Sequence, residues 1–319
     1  LTRYGKSLPG MILSYCLVLG GGTLIFFSYL LNNHLTTRAG VLLRLSPFVI
    51  LAFTRFVQLA VVFFILIYKL PKHNGPQQEG GLIPIQLHKI IFVLTSTALL
   101  LILVSLMVDL MELYTWNLTM LGFRMKVNIN REANIPTFFS TLLLLLAALL
   151  LWVIGAQERN NKQPFGVHWT VLGVIFLILA LDEASGLHER VEDLVKRLYA
   201  FSGLFHYAWV VPAILFVFIL GIIYLRFFLA QPRHIQGMLL VAATTFLMGA
   251  LGAEMVNGWY RDTIGMTRAI ETLLTTTEET LEMLGVILLI RMLMIYLRER
   301  YTEIKFSIFV PPPEQERPD

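Results

Sequence analysis

The chain has 319 residues, of which 56% are hydrophobic and 14% charged, and its mean hydropathy is +0.71. Soluble domains carry about 25% charged residues, so this composition excludes an ordinary soluble protein and indicates a polytopic membrane protein. In a soluble protein, the formal net charge of +4 would suggest a nucleic-acid partner. In a membrane protein basic loops set the topology, so we expect membrane lipids as partners and no nucleic acid.

Eight apolar runs predict transmembrane helices, because a helix needs about 20 mostly apolar residues to cross a bilayer. In chain order the runs are residues 11–31, 48–68, 90–108, 137–156, 167–181, 207–225, 237–253 and about 272–297. The predicted fold class is therefore all-α, a polytopic integral membrane helical bundle of about eight transmembrane helices. We expect residues 1–306 to form a single transmembrane domain and the Pro-rich residues 307–319 to form a flexible cytoplasmic tail.

An even number of helices places both termini on one side of the membrane. The loops and tails on that side carry 13 Lys and Arg against 10 on the other side, which predicts cytoplasmic termini. Helix parity then assigns 14 of the 21 acidic residues to the outer half. Trp209 is expected there as one member of an interfacial aromatic belt. We expect a multi-pass protein of a bacterial inner membrane.

The longest outer loop joins the third and fourth predicted helices. Its alternating segment at residues 126–130 predicts a short strand or hairpin.

The stretch LDEASGLHERVED, residues 181–193, follows fifteen residues without formal charge. If the helix continues through it, Asp182, Ser185 and Glu189 form one stripe, since residues three, four and seven apart share a helix face. Glu183 then lies off that stripe and His188 lies well round the helix from Asp182. Gly186 could break the helix and change these directions.

A second acidic stripe lies on the last predicted helix, where Glu278 and Glu282 repel each other as like charges four residues apart. A carboxylate in hydrocarbon costs several kcal/mol unless it is paired, protonated or metal-bound. A cation, a shared proton or an Arg would each relieve the repulsion. We therefore predict that these two helices pack with Asp182 and Glu189 facing Glu278 and Glu282, and that carboxylate oxygens of both helices lie within about 5 Å of a common point.

Carboxylates from three helices with one imidazole would suit one or two divalent metal ions. The candidate metal ligands are Asp182, Glu189, Glu278 and Glu282, followed by Glu183, His188, Glu279 and Glu254. Solvation or pairing with Arg explains Glu192, Asp193, Glu132 and Asp262 better. The Glu-x-x-His pairs of di-iron bundles and the zinc pattern His-Glu-x-x-His are missing from the sequence, and no pattern indicates haem, nucleotide or flavin.

Three functions fit these observations, and the sequence names no catalytic residue. The first is a metal-dependent membrane enzyme that acts on a lipid or lipid-linked substrate. The second is a non-catalytic subunit of a larger membrane complex, which needs no site. The third is a proton- or cation-coupled transporter, although the acids cluster at one end and not at the midplane where transporters bind their substrates.

Overall fold

The computed structural model describes residues 87–115, 125–129, 133–199 and 201–301, without the side chains of residues 110–115 and 269. Within these ranges all regular structure is helical. Six helices are long and apolar enough to cross a membrane, which indicates an integral, multi-pass membrane protein. Each overlaps one of the last six predicted runs. The runs at 11–31 and 48–68 and the tail at 307–319 lie outside the described residues.

We number the helices from the first one that the structure describes. They are α1 (Leu87–Thr115), α2 (Ile135–Asn160), α3 (Gly166–Ser185), α4 (Leu187–Leu198), α5 (Val210–Ala230), α6 (Arg233–Leu247), α7 (Glu254–Thr263) and α8 (Arg268–Arg300). A π-helical segment, Met248–Ala253, joins α6 to α7, so that the two cross the membrane as one span, and a single 3-10 turn, Gly203–Phe205, precedes α5. The charged α4 has no buried residue and is too short to span.

Helices α2 and α3 form a close antiparallel pair. The side chain of Asn134 caps α2 by accepting a hydrogen bond from the backbone N–H of Thr137 at 3.0 Å. Gly155 of α2 packs against Thr170, and Gly173 of α3 packs against Trp152, where an added Cβ would lie 2.4 Å from the neighbouring side chain in each case. Small residues thus let the two backbones approach, as is usual between membrane helices.

Helix α8 forms the centre of the bundle. Ile287, Ile290 and Leu293 are at most 1% exposed, and α8 packs against α6, α2 and α1. It meets α6 at Gly285, where a Cβ would come within 2.6 Å of the backbone nitrogen of Phe246. A side chain at this position would therefore push the two backbones apart.

A buried carboxylate joins the end of α2 to the end of α8. Glu158 is 2% exposed, and it accepts hydrogen bonds from the hydroxyls of Tyr296 at 2.8 Å and Tyr301 at 2.6 Å. The Nε of Arg300 lies 2.6 Å from the same carboxylate. Burial, with the Glu158 carboxylate beside it, raises the pKa of Tyr301 to about 12, so its hydroxyl keeps the proton that it donates.

The predicted strand in the long outer loop is wrong, because residues 125–127 are helical. The loop is held by side chains of α1 and not by a partner strand. The Asn128 amide donates to Asp109 at 2.6 Å, and the backbone N–H of Ile129 donates to the hydroxyl of Ser105 at 2.9 Å. These bonds satisfy polar groups that a strand would have paired elsewhere.

We expect Gly285→Ala to destabilise the protein by about 1–3 kcal/mol, because the new methyl group overpacks the contact between α8 and α6. The matched control is Gly221→Ala on α5, where nothing lies within 4 Å of an added Cβ. That change should be neutral or raise stability by up to about 1 kcal/mol, since Ala favours helix over Gly. Thermal unfolding of the purified proteins in detergent measures both, and equal melting of Gly285→Ala and the parent would contradict the proposed contact.

Candidate functional site

The sequence cluster at residues 181–193 is divided by a helix break. Gly186 has φ 58° and ψ 43°, a left-handed conformation that Gly adopts without strain. Helix α3 therefore ends at Ser185 and α4 starts in a new direction at Leu187. The predicted stripe of Asp182, Ser185 and Glu189 is wrong for this reason, because its last member belongs to a different helix.

The same break brings His188 onto Asp182. The Asp182 carboxylate accepts a hydrogen bond from the backbone N–H of His188 at 2.7 Å, and its two oxygens lie 3.1 and 3.2 Å from the imidazole Nδ1. A carboxylate only accepts hydrogen bonds, so Nδ1 carries a proton, and in the neutral imidazole Nε2 then keeps a lone pair. Asp182 thus caps the start of α4 and also fixes the tautomer of His188.

A second group of acids meets where α6, α7 and α8 converge. Gly249 of the π-helical segment lies against α8, and a Cβ there would come within 2.9 Å of the carbonyl oxygen of Glu278 and of the backbone nitrogen of Glu282. This contact places Glu254, at the start of α7, within hydrogen-bonding reach of Glu278. Two carboxyl groups can form a hydrogen bond only if one of them is protonated.

Two aromatic side chains adjoin these acids. The indole N–H of Trp209 donates to Glu254 at 3.3 Å, and the Trp209 ring lies 5.3 Å from the ring of His188, measured between centroids. Burial raises the pKa of Tyr207 to about 12, although the neighbouring Arg261 guanidinium opposes that rise. Tyr207 therefore stays protonated at neutral pH beside the Arg261 guanidinium.

A cavity of about 500 Å³ joins the two groups. Every one of the eight candidate residues lines it: Asp182, Glu183, His188, Glu189, Glu254, Glu278, Glu279 and Glu282. We call this part of the cavity its acidic end. The rest of the wall is almost wholly apolar and includes residues of α2, α3, α5, α6 and α8.

The candidates line one cavity. Among the residues that the structure describes, no three His, Asp or Glu side chains converge in a way that could hold a metal ion. The predicted convergence of carboxylate oxygens within about 5 Å of a common point stays a prediction. Asp182 faces His188 and Glu278 faces Glu254, so these carboxylates already have partners. Metal binding stays a prediction.

Other acids at this end form local pairs. Glu271 accepts from Arg261 at 2.6 Å, and Asp262 accepts from the backbone N–H of Gly203 at 2.7 Å and lies 3.6 Å from Nδ1 of His206. Glu192 pairs with Lys196 on the exposed face of α4. These acids support helix ends and connections.

Sequence reasoning missed Trp209 as a site residue, because nothing in its spacing distinguishes it from an interfacial Trp. It also missed the pairing of Asp182 with His188 and of Glu254 with Glu278. The only local signal was Gly186, whose ability to break the helix was visible in the sequence although the new direction of α4 was not.

Residues 93–297 match the family described as Domain of unknown function (DUF8692). The chain belongs to this family. The matched region covers more than half of the chain and contains all eight candidate residues. No curated protein and no solved structure matches the chain.

Proposed function

We propose that this protein is a membrane-embedded enzyme that acts on a lipid or lipid-linked substrate. The observation that carries the proposal is one cavity with a long apolar wall and an acidic end that holds an Asp–His pair. Such a shape suits an amphipathic molecule, whose apolar part lies between the helices while its reacting group meets the polar residues.

In this proposal His188 acts as the general base. The Asp182 carboxylate holds the imidazole with Nδ1 protonated, which leaves the lone pair of Nε2 to take a proton from water or from a substrate hydroxyl. In the same proposal, a proton held between Glu254 and Glu278 supplies the general acid, since both residues line this cavity. General acid–base catalysis of this kind contributes about 10²- to 10⁴-fold to a rate.

A divalent metal ion is the alternative form of this proposal, because Nε2 of His188 cannot act as a general base and bind a metal at the same time. Its ligands would come from Glu282, Glu278, Glu254, Asp182 and His188, with Glu183, Glu189 and Glu279 around them, after side-chain movements. Carboxylate oxygens and a neutral imidazole are suitable ligands. When bound, the ion would lower the pKa of a water molecule and so supply a nucleophile.

Glu282→Gln tests the metal, because it keeps the shape of the side chain and removes one charge. If a cation is held, a chelator should lower the melting midpoint of the parent and leave that of the variant unchanged. Glu299→Gln is the matched control on the same helix, since Glu299 pairs with His234 at the opposite end. It should respond to chelator as the parent does.

Chelator-independent melting of all three proteins would contradict the metal site. In that case the free energy of unfolding of Glu282→Gln should exceed that of the parent by some tenths of a kcal/mol, because the change relieves repulsion from Glu278.

His188→Gln tests catalysis. We expect bacterial cells that express the parent to convert at least one lipid class, as measured by mass spectrometry of lipid extracts, and His188→Gln to slow the conversion about 100-fold or more. Asp193→Asn, an exposed change on the same helix α4, should leave the conversion intact. Identical lipid profiles of parent and His188→Gln at equal expression would contradict the enzyme and favour the complex subunit or the transporter.

We also propose eight transmembrane helices with both termini in the cytoplasm, which places the acidic end on the outer side. A fluorescent reporter that folds only in the cytoplasm should be active when fused after Asp319. A phosphatase that folds only outside should be active when inserted at Ser202, in the connection before α5. Inactivity of both reporters would contradict the orientation. Activity of only one reporter would place Asp319 and Ser202 on the same side of the membrane and contradict the helix count.

A further inference from the structure

The cavity extends far along the helices that form it. On α3 the lining residues recur every turn from Trp169 to Glu183, and on α8 they recur from Thr275 to Leu289. The ends of each stretch are 14 positions apart, or about 20 Å at 1.5 Å per residue, and this length includes the acidic end. The apolar part on α3, from Trp169 to Leu179, covers about 15 Å, which is the depth of hydrocarbon that one leaflet contributes. A molecule that fills the cavity must therefore carry a chain about as long as one leaflet is deep.

The volume allows a chain of this length. A cavity of about 500 Å³ lies within the range of about 300–1,000 Å³ that ordinary ligand pockets have. It therefore has room for at least one hydrocarbon chain of ordinary membrane length.

The acidic end determines which head group suits the cavity. Seven carboxyl groups line it, and among the described residues that line the cavity there is no Lys or Arg. One shared proton and one divalent ion would still leave an excess of negative charge. The ring of Trp209 stands beside these acids, and an indole face attracts an ammonium group through its π electrons. Charge and aromatic contact both favour a cation and disfavour a phosphate or carboxylate.

We propose that the occupant of the cavity is an amphiphile with an ammonium head group and a hydrocarbon chain. The head lies at the acidic end near Glu254, Glu282 and Trp209, and the chain extends between α3 and α8 to Trp169. The claim that this amphiphile is also the substrate rests on the proposed function. The claim that it binds in the cavity does not.

The chain has a route into the cavity from the bilayer. Ala213, Phe216 and Leu220 of α5 form part of the wall, yet Val210 and Phe227 are the only buried residues of that helix. Among the six candidate spans α5 is the least buried, with 6% of its most apolar window covered. Entry of the chain past this least-buried of the described spans is therefore part of the same proposal.

Quenching of Trp fluorescence tests the proposal on the purified full-length protein in detergent. The probe is hexadecylamine with a bromine on its terminal carbon, because bromine quenches a nearby indole. The probe should quench the Trp fluorescence of the parent. Trp169→Phe should lose most of that quenching, whereas Trp259→Phe should retain it. Trp169 lies at the far end of the cavity, and Trp259 is not among its lining residues.

The comparison probe is hexadecanoic acid with the same terminal bromine. We expect half-maximal quenching by the amine at a concentration about tenfold or more below that of the acid, a ratio that moderate charge preference produces. In the double variant Glu254→Gln/Glu282→Gln the two probes should become similar. Equal concentrations for amine and acid in the parent would overturn the head-group assignment.

Two further variants separate the cavity from nonspecific uptake of the probe. Ala250→Phe places a ring into the cavity and should abolish quenching of Trp169, whereas Ala184→Phe adds a ring to an exposed position of α3 outside the lining and should not. Quenching that survives Ala250→Phe would overturn the proposed occupant. Failure of amine binding in a protein that still converts lipids would reject this inference alone, and binding without conversion would reject only the proposed enzyme.

Discussion

A carboxylate that lies within an apolar span must find a partner, and this constraint organises the bundle. The cost of an isolated carboxylate in hydrocarbon is several kcal/mol, more than most single packing contacts contribute. Asp109 holds the loop after α1 through Asn128, and Glu158 holds α2 to α8 through two Tyr hydroxyls and Arg300. Asp182 holds the start of α4 through His188. Each pairing also fixes the relation between two segments of the chain.

The two ends of the bundle satisfy this constraint differently. At one end Glu158 is almost completely buried and receives hydroxyl and guanidinium donors, which leaves it little capacity for anything else. At the other end seven carboxyl groups line one cavity. This difference is the physical reason for placing function at the acidic end and structure at the Glu158 end.

Close backbone contacts determine where that cavity can form. Gly249 and Gly285 let the π-helical segment and α6 lie directly on α8. Glu254, which follows the π-helical segment, therefore lies at the same level as the acids of α8. The helices α3 and α5 stand further from α8 and leave the space that becomes the cavity. An inserted π turn often marks a functional site, because it shifts the following helix by about one residue. Here it adjoins Glu254, the residue that links Trp209 to Glu278.

The amino-acid sequence by itself determined the fold class, the six described spans and the common end of the acids. Hydropathy identifies spans because lipid accepts only apolar, internally bonded helices, and helix parity then assigns the acids to ends. The same reasoning selected all eight acidic and His residues that line the cavity. It could not pair them, because partners depend on directions that hydropathy does not contain. The left-handed Gly186 turned His188 onto Asp182, and the contact of Gly249 with α8 brought Glu254 to Glu278. Only the tertiary structure decided these pairs and the apolar depth of the cavity, since both arise from helix packing between residues distant in the chain.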